Sequence, residues 1–294
     1  MSSLKFLARR VAETLVSHDA LWIPLSRSLV RGSQYLCALR DQHEAGQTVA
    51  GHPPLRDALA QRQILAGPFK GMNYGSTKAL CSALYPKLLG TYEHELAGVF
   101  EAALVRNHPL VVDVGAADGY YAVGFAFRQP GTRVIAYDQD PRARAELSKL
   151  AELNGVSSRI EIRGRCEPAE LAQLKEPAGL MIVDCEGFED IALSPENIAA
   201  LAGWEFIIEA HDGFVPGVTK RLIERFKATH RVEVIEAIHD YDKVDQIRVP
   251  LLDGLPRRAA DKVLAEGREH ACLRWLACTP RGADYGEPRK VTLV

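Results

Sequence analysis

Residues 110–124 read LVVDVGAADGYYAVG. The β-branched run at the start predicts a strand, the small residues Gly115, Ala116, Ala117, Asp118 and Gly119 predict a tight turn, and a helix follows from about residue 121. A strand, a bare turn and a helix in that order let a ligand lie against backbone N–H groups at the helix start. Several cofactors use that arrangement, so the chemistry of the turn has to discriminate between them. A dinucleotide fingerprint counted from Gly115 wants glycine at position 117 and glycine or alanine at 120, where this chain has Ala117 and Tyr120. Charge points the same way, because Asp113 in the strand and Asp118 in the turn would repel a pyrophosphate. A cationic ligand suits them better. S-adenosylmethionine, with a sulfonium and an ammonium, calls for both a bare backbone and a nearby carboxylate. The plainer reading is that the two aspartates cap the turn and the helix after it.

Working outward, the same alternation repeats. The runs RVIAYDQD, RIEIRG, LMIVDCEG, EFIIEAHD, RVEVIEAI and RWLACTP predict six further strands, with helices at about 121–128, 141–154, 167–174, 190–202 and 218–229. Strands that are apolar throughout, rather than alternating, belong to a parallel sheet covered on both faces. The expectation is an α/β fold: a Rossmann-like, doubly wound, mostly parallel seven-stranded sheet that binds ligands at the carboxyl ends of its strands.

Upstream the pattern is helical and irregular. Leu4, Leu7, Ala8, Val11 and Leu15 recur at helical spacing, Leu29, Leu36 and Leu39 suggest a second helix, and GHPP at 51–54 and GPFKGMNYGS at 67–76 are breaker-rich loops. A longer helical pattern runs from Leu80 and aligns Leu96, Val99, Phe100, Ala103 and Leu104 on one face. This divides the chain into a helical N-terminal region, 1–90, and a cofactor-binding domain, 91–294. Lys70, Asn73, Tyr74, Lys78 and Tyr92 are candidates to close over an acceptor site as a lid, against the alternative of an ordinary surface loop.

A chain of 294 residues with 47% hydrophobic content supports one large core with an appendage. The formal net charge of −2 gives no global field for nucleic acid or an anionic membrane and leaves only local patches. Nucleic acid is therefore not an expected partner. Cys37, Cys81, Cys166, Cys185, Cys272 and Cys278 form no CxxC pair, which argues against structural zinc and a disulfide framework and for reduced thiols in a cytoplasmic protein. The first 25 residues are basic and apolar, but Arg9, Arg10 and Glu13 interrupt them, so they read as an amphipathic helix that either packs on the rest or touches a membrane surface. No run reaches the ~18 apolar residues of a membrane span.

Asp138, at the tip of the second strand, is placed to accept hydrogen bonds from a ribose, a geometry shared by all adenosine cofactors. After the third strand, Cys166 and Glu167 sit where an adenine would reach, unless Glu167 only opens a helix. Together VVDVGAADG, YDQD, IVDCEGFE and IIEAHDG resemble the FkbM-like branch of S-adenosylmethionine-dependent methyltransferases, over about residues 91–234. The resemblance implies methyl transfer, commonly to an oxygen of a sugar or natural product, and leaves the acceptor and oligomeric state open. A nicotinamide oxidoreductase and a catalytically silent adenosyl-binding protein are the rival classes.

DCEGFED at 184–190 and EAHDG at 209–213 put Asp184, Glu186, Glu189, Glu209, His211 and Asp212 at the ends of adjacent predicted strands. Methyl transfer from sulfonium needs in-line alignment and removal of one proton. His211 is the natural general base by its ordinary pKa, with Asp184 and Glu209 as partners. The same side chains offer a second chemistry, in which Asp184, Glu209 and Asp212 hold a divalent cation with His211 behind them. Asp184 also borders the donor pocket, and Glu186 and Glu189 double as helix N-terminal acids. HDYDKVDQ at 239–246 reads as a solvated hairpin, against the alternative of a loop that contacts the acceptor.

Overall fold

A computed structural model of the chain describes residues 3–80, 82–267 and 274–282. Cys81 and Cys272 lie outside the described residues. All seven predicted strands form: β1 (Leu110–Val114), β2 (Arg133–Tyr137), β3 (Ile160–Arg163), β4 (Leu180–Val183), β5 (Glu205–Ala210), β6 (His230–Glu236) and β7 (Arg274–Pro280). They make one sheet in the order β3-β2-β1-β4-β5-β7-β6. β3 through β5 are parallel, and β7 runs antiparallel between β5 and β6. This is a Rossmann-like, mostly parallel sheet with one antiparallel strand inserted near its edge.

Every residue of β1, β4 and β5 is buried, which is why these strands read as unbroken apolar runs. Along each strand, side chains alternate between two cores. Val111, Val134, Leu180 and Ile207 face a layer that contains the helices Tyr120–Arg128 and Pro141–Leu153. Val112, Ile135, Met181 and Ile208 face the helices Pro195–Ala200 and Val218–Phe226. Sequence order reverses between β1 and β4, so their carboxyl ends open the crevice where such sheets bind ligands.

Several helices depart from the sequence expectation for local reasons. The predicted helix at 190–202 is two pieces, Glu189–Ala192 and Pro195–Ala200; Pro195 cannot donate to the first, and the Ser194 side chain caps the second by accepting from Asn197 N (3.2 Å). The predicted helix at 167–174 is one turn, Pro168–Leu171. The helical pattern from Leu80 is cut at Gly90, which has φ +79° and lies where a Cβ would come 2.0 Å from the Ala66 carbonyl oxygen. The result is the helix Leu84–Leu89, a 3-10 turn His94–Leu96 and the helix Ala97–Arg106.

The residues before β1 share the core of the sheet. Leu55, Ile64, Phe69, Met72 and Tyr74 belong to the same buried cluster as Val111 and Tyr120, so a boundary near residue 90 does not separate two cores. The segment is also tied polarly. Asn154 Nδ2 donates to the Asn73 carbonyl and its Oδ1 accepts from Asn73 N, both at 2.8 Å. Lys87 Nζ lies 2.8 and 3.1 Å from the two carboxylate oxygens of Asp118, with both side chains almost wholly buried, at 2% and 1% exposure.

HDYDKVDQ is not a solvated hairpin. Asp240 and Lys243 are buried. Lys243 Nζ lies 2.5 Å from Glu266 Oε1, which also accepts from Glu93 N at 3.1 Å. The charges that made the stretch look like surface are used to join the segment before β1 to the segment before β7.

Breaking the Lys87–Asp118 pair by Lys87→Met leaves a buried carboxylate alone, so the variant is expected to lose about 3–5 kcal/mol in urea unfolding. Lys87→Met/Asp118→Asn should recover a measurable part of that loss. A double variant no more stable than Lys87→Met would show that the pair carries no special coupling.

Candidate active site

The turn after β1 is bare for an internal reason. Gly115 has φ +91°, and a Cβ there would stand 1.7 Å from the Asp184 carbonyl oxygen. Asp184 N in turn donates to the Val114 carbonyl at 2.9 Å. The ends of β1 and β4 are therefore held in direct backbone contact, which brings the turn and the DCEGFED segment together.

The N–H groups of the turn are largely engaged within the protein. Gly115 N and Ala116 N donate to the Tyr137 carbonyl, both at 2.9 Å, and Gly119 N to the Ala116 carbonyl at 2.8 Å. Ala117, a non-glycine residue at φ +46°, donates its N–H to Asp138 Oδ2 at 2.8 Å. Asp138 Oδ1 accepts from Asp140 N at 2.8 Å. Asp138 is thus a half-buried carboxylate at the tip of β2, with lone pairs remaining on both oxygens.

The two aspartates flanking the turn do not face a ligand as the sequence suggested. Asp118 is paired with Lys87 and fully buried. Asp113 is buried and caps the next helix, accepting from Ala122 N at 3.1 Å. Burial pushes its pKa up to about 7, against the Ala122 N–H that favours the anion. The capping alternative is what the structure contains for Asp113. The Tyr120 ring is buried edge-on to Phe69 at 5.2 Å and Tyr92 at 5.4 Å, with Lys87 Nζ 5.1 Å from its centroid. Cys166 is buried, which lifts its thiol to about 12, and Glu167 is exposed at the cap of Pro168–Leu171.

The polar residues at the ends of β4 and β5 divide into two groups. His211, buried to 4% exposure, is the centre of the first. Its Nδ1 lies 2.7 Å from Glu189 Oε1. Its Nε2 faces Glu209 Oε2 at 3.5 Å, Asp184 Oδ1 at 3.6 Å and Glu186 Oε2 at 3.7 Å. Asp212 is in the second group, turned away to accept from the Thr219 hydroxyl at the start of Val218–Phe226, so it does not join the candidate cation ligands.

Glu189 organises the cluster. Fully buried, its Oε1 also accepts from Cys185 N (3.2 Å) and Gly187 N (3.1 Å). Burial opposes its charge, but His211 and these N–H groups hold its pKa below the usual carboxylate range. For His211, burial likewise opposes charge, yet the hydrogen bond with Glu189 and the fields of Glu209, Glu189 and Glu186 prevail and raise its pKa to about 9. A pKa raised this far favours the protonated imidazole at neutral pH, which removes the simple argument for it as a free base. Burial, then Glu209, lifts Asp184 well above the ordinary carboxylate range.

Asp184, Glu209 and His211 each offer a ligand atom within 4.8 Å of the others. Two carboxylates and an imidazole are a donor set that first-row divalent ions accept. The two separations from His211 Nε2, 3.5 Å to Glu209 and 3.6 Å to Asp184, are close to the roughly 3–3.5 Å that donors at ~2.1 Å from one ion impose. The second ring nitrogen held by a buried carboxylate is the usual support for a ligating histidine.

Lys87 is not singled out by the sequence, and Glu189 reads there as one of the strand-end acids or a helix N-terminal acid, not as the partner of His211. Lys87 lies 31 residues from its partner, with no local pattern linking them. For Glu189 the signal was its position in DCEGFED, three residues beyond Glu186.

No family model matches the chain. It is similar to the release factor glutamine methyltransferase of Cereibacter sphaeroides, 38% identical over 69 residues, which make up 24% of this chain and 25% of that protein. The chain thus matches about a quarter of the length of that relative. Among solved structures it is similar to the O-methyltransferase TomG from Streptomyces achromogenes in complex with SAM (16% identity, 52% of this chain, 77% of that one, TM-score 0.42). It is similar too to the O-methyltransferase from Bacillus cereus in complex with SAH (13% identity, 62% and 80%, TM-score 0.43). An rRNA methylase from Streptococcus thermophilus is similar as well (12% identity, 64% and 96%, TM-score 0.45).

Because its folded pKa of about 9 exceeds its ordinary 6.5, His211 contributes stability that is full below about pH 6.5 and lost as pH rises through about 9. Glu189→Gln should move the imidazole titration, followed by NMR in chelator-treated protein, back toward 6.5 and erase that pH dependence. An unchanged midpoint would mean that Glu189 does not hold the proton.

Proposed function

We propose that the chain is an S-adenosylmethionine-dependent methyltransferase acting on an acceptor oxygen placed against Asp184, Glu209 and His211. The observation that carries the reading is the backbone contact of Gly115 with Asp184, which sets a cofactor turn directly beside an acid and imidazole cluster. The 69-residue match to a methyltransferase supports it. So does the internal use of the turn's N–H groups, which leaves a pyrophosphate few of the donors it needs and disfavours the nicotinamide alternative.

In this reading the acceptor is a hydroxyl of a small molecule or sugar. Its oxygen forms a bond to the methyl carbon as the carbon–sulfur bond breaks, the sulfonium leaves as a neutral thioether, and the hydroxyl proton passes to a strand-end carboxylate. Asp184 is the group for that proton: burial beside Glu209 raises its basicity, and its side chain remains 27% exposed to the crevice. His211, fixed by Glu189, orients the carboxylates and balances their charge. Asp138 takes the ribose, and Cys166 and Glu167 border the adenine.

The convergence of donors on one point favours a second reading of the same site. Asp184, Glu209 and His211 would hold a divalent cation, and the chemistry it supplies is acidification of the acceptor hydroxyl.

Isothermal titration should show micromolar binding of S-adenosylmethionine and none of NAD; the reverse result ends the proposal. Against acceptors found by tritiated-methyl transfer to hydroxylated fractions, His211→Ala and Glu209→Gln are each expected to lose about 10²–10⁴-fold in kcat while donor Kd stays within about threefold. Full turnover in both variants would remove the cluster from the chemistry. Activity abolished by chelator and restored by a divalent ion selects the cation reading, and indifference to chelator selects Asp184 alone.

A further inference from the structure

Residues 9–40 are loosely covered, with Ala38 against Gly267 at the end nearest the body. None of their described side chains is buried, although they form the end of the helix Ser3–Ser17 and the first two-thirds of the helix Asp19–Gly51. Burial begins at Asp41, which pairs with Lys262 Nζ at 2.6 Å, and continues through Ala45 and Val49. Of the apolar positions of the N-terminal helix, Val11 and Leu15 are described, and neither is buried.

The exposed stretch is apolar. Leu29, Tyr35 and Leu36 are 61%, 65% and 66% exposed, and Val11, Val16, Leu21, Trp22 and Leu39 are also exposed. At 100° per residue Leu21, Leu25, Leu29, Leu36 and Leu39 fall on one face, with Trp22 and Tyr35 at its margins. The same stretch is cationic. Lys5, Arg9, Arg10, Arg27, Arg31 and Arg40 stand against Glu13 and Asp19 within residues 1–40, in a chain whose overall charge is −2. Arg9 shares its charge with Glu13 at 2.8 Å and Arg40 with Glu44 at 2.6 Å, both at the surface.

We propose that residues 3–40 dock the protein on an anionic lipid bilayer, with the exposed leucines at the acyl boundary and the net positive charge of the segment matched by the headgroups. An apolar face with interfacial Trp and Tyr and an excess of basic residues is the pattern of a helix lying in the membrane surface. Among the described residues no helix is long and apolar enough to cross a membrane.

A second copy of the chain is the competing occupant. Trp22, Leu25, Leu29, Leu36 and Leu39 do keep a three-four spacing, but the seam contains Gly32, is widened by Leu21 and Tyr35, and lacks alternating charges beside it. Two copies would also bring together two segments of like charge, whereas anionic headgroups neutralise them. The proposal is independent of the methyl-transfer reading.

Sedimentation of the full chain with sonicated vesicles tests it. The protein is expected to pellet with phosphatidylcholine vesicles containing phosphatidylglycerol, to remain in solution with phosphatidylcholine alone, and to be released as NaCl rises from about 0.1 M to about 0.5 M. Arg27→Gln/Arg31→Gln should weaken partitioning about thirtyfold, at about 1 kcal/mol for each lost cation. Leu29→Ser/Leu36→Ser should abolish it without shifting the thermal melt, since both side chains are already exposed. The docking is overturned by failure to pellet with anionic vesicles or by retention that ignores lipid charge and salt. It is overturned equally by a lipid-free dimer in sedimentation velocity that Leu29→Ser/Leu36→Ser dissolves.

Discussion

The architecture of the site rests on one close approach. Gly115 and the Asp184 carbonyl occupy space that no side chain can share, and this contact fixes how the crevice between β1 and β4 is lined. On one side stands the turn, with Ala117 N held by Asp138. On the other, the chain leaves β4 into a segment with Glu186 at φ +56° and Gly187 at φ +101°. Backbone held in sparsely populated conformations persists only where its surroundings over-determine it. Here the determinants are the β1–β4 contact and the Glu189 carboxylate, which gathers Cys185 N, Gly187 N and His211 on one oxygen.

Buried charge does the work of joining distant segments. Lys87–Asp118 ties the helix Leu84–Leu89 to the turn after β1, and Lys243–Glu266 meets Glu93 just before the helix Ala97–Arg106. Pairs of this kind add little net stability relative to apolar replacements, but they penalise any arrangement that leaves one member alone. The region before β1 is thereby tied to the turn after β1, with Phe69, Tyr74 and Tyr92 packed around Tyr120 and Lys87.

The sheet was legible because its chemistry is local. A strand buried on both faces has to be apolar at every position, and β1, β4 and β5 are. The convergence of Asp184, Glu209 and His211 followed from placing strand ends side by side. What sequence alone could not supply was partnership across long separations. Asp118 looked like a ligand-facing acid because Lys87 gave no sign of reaching it, and HDYDKVDQ looked like surface because Glu266 was out of view. Gly90 and Pro195 are breakers visible in the sequence, but the helical periodicity around them masked their effect.

These partnerships change the electrostatic argument without reversing it. With Asp118 neutralised by Lys87 and Asp113 sealed beneath a helix, preference for a cationic donor has to arise elsewhere. In the proposed reading it would come from Asp138, half-buried at the tip of β2, and from Asp184, Glu186 and Glu209, which gather around His211. The turn's N–H groups, which would otherwise attract phosphate, are bonded to Tyr137, Asp138 and Ala116. A near-neutral chain has thus separated its charge, with acids gathered at the strand ends and cations on the exposed N-terminal helices. In the two readings proposed above, each set would meet a different kind of ligand: a sulfonium in the crevice and an anionic surface at the far helices.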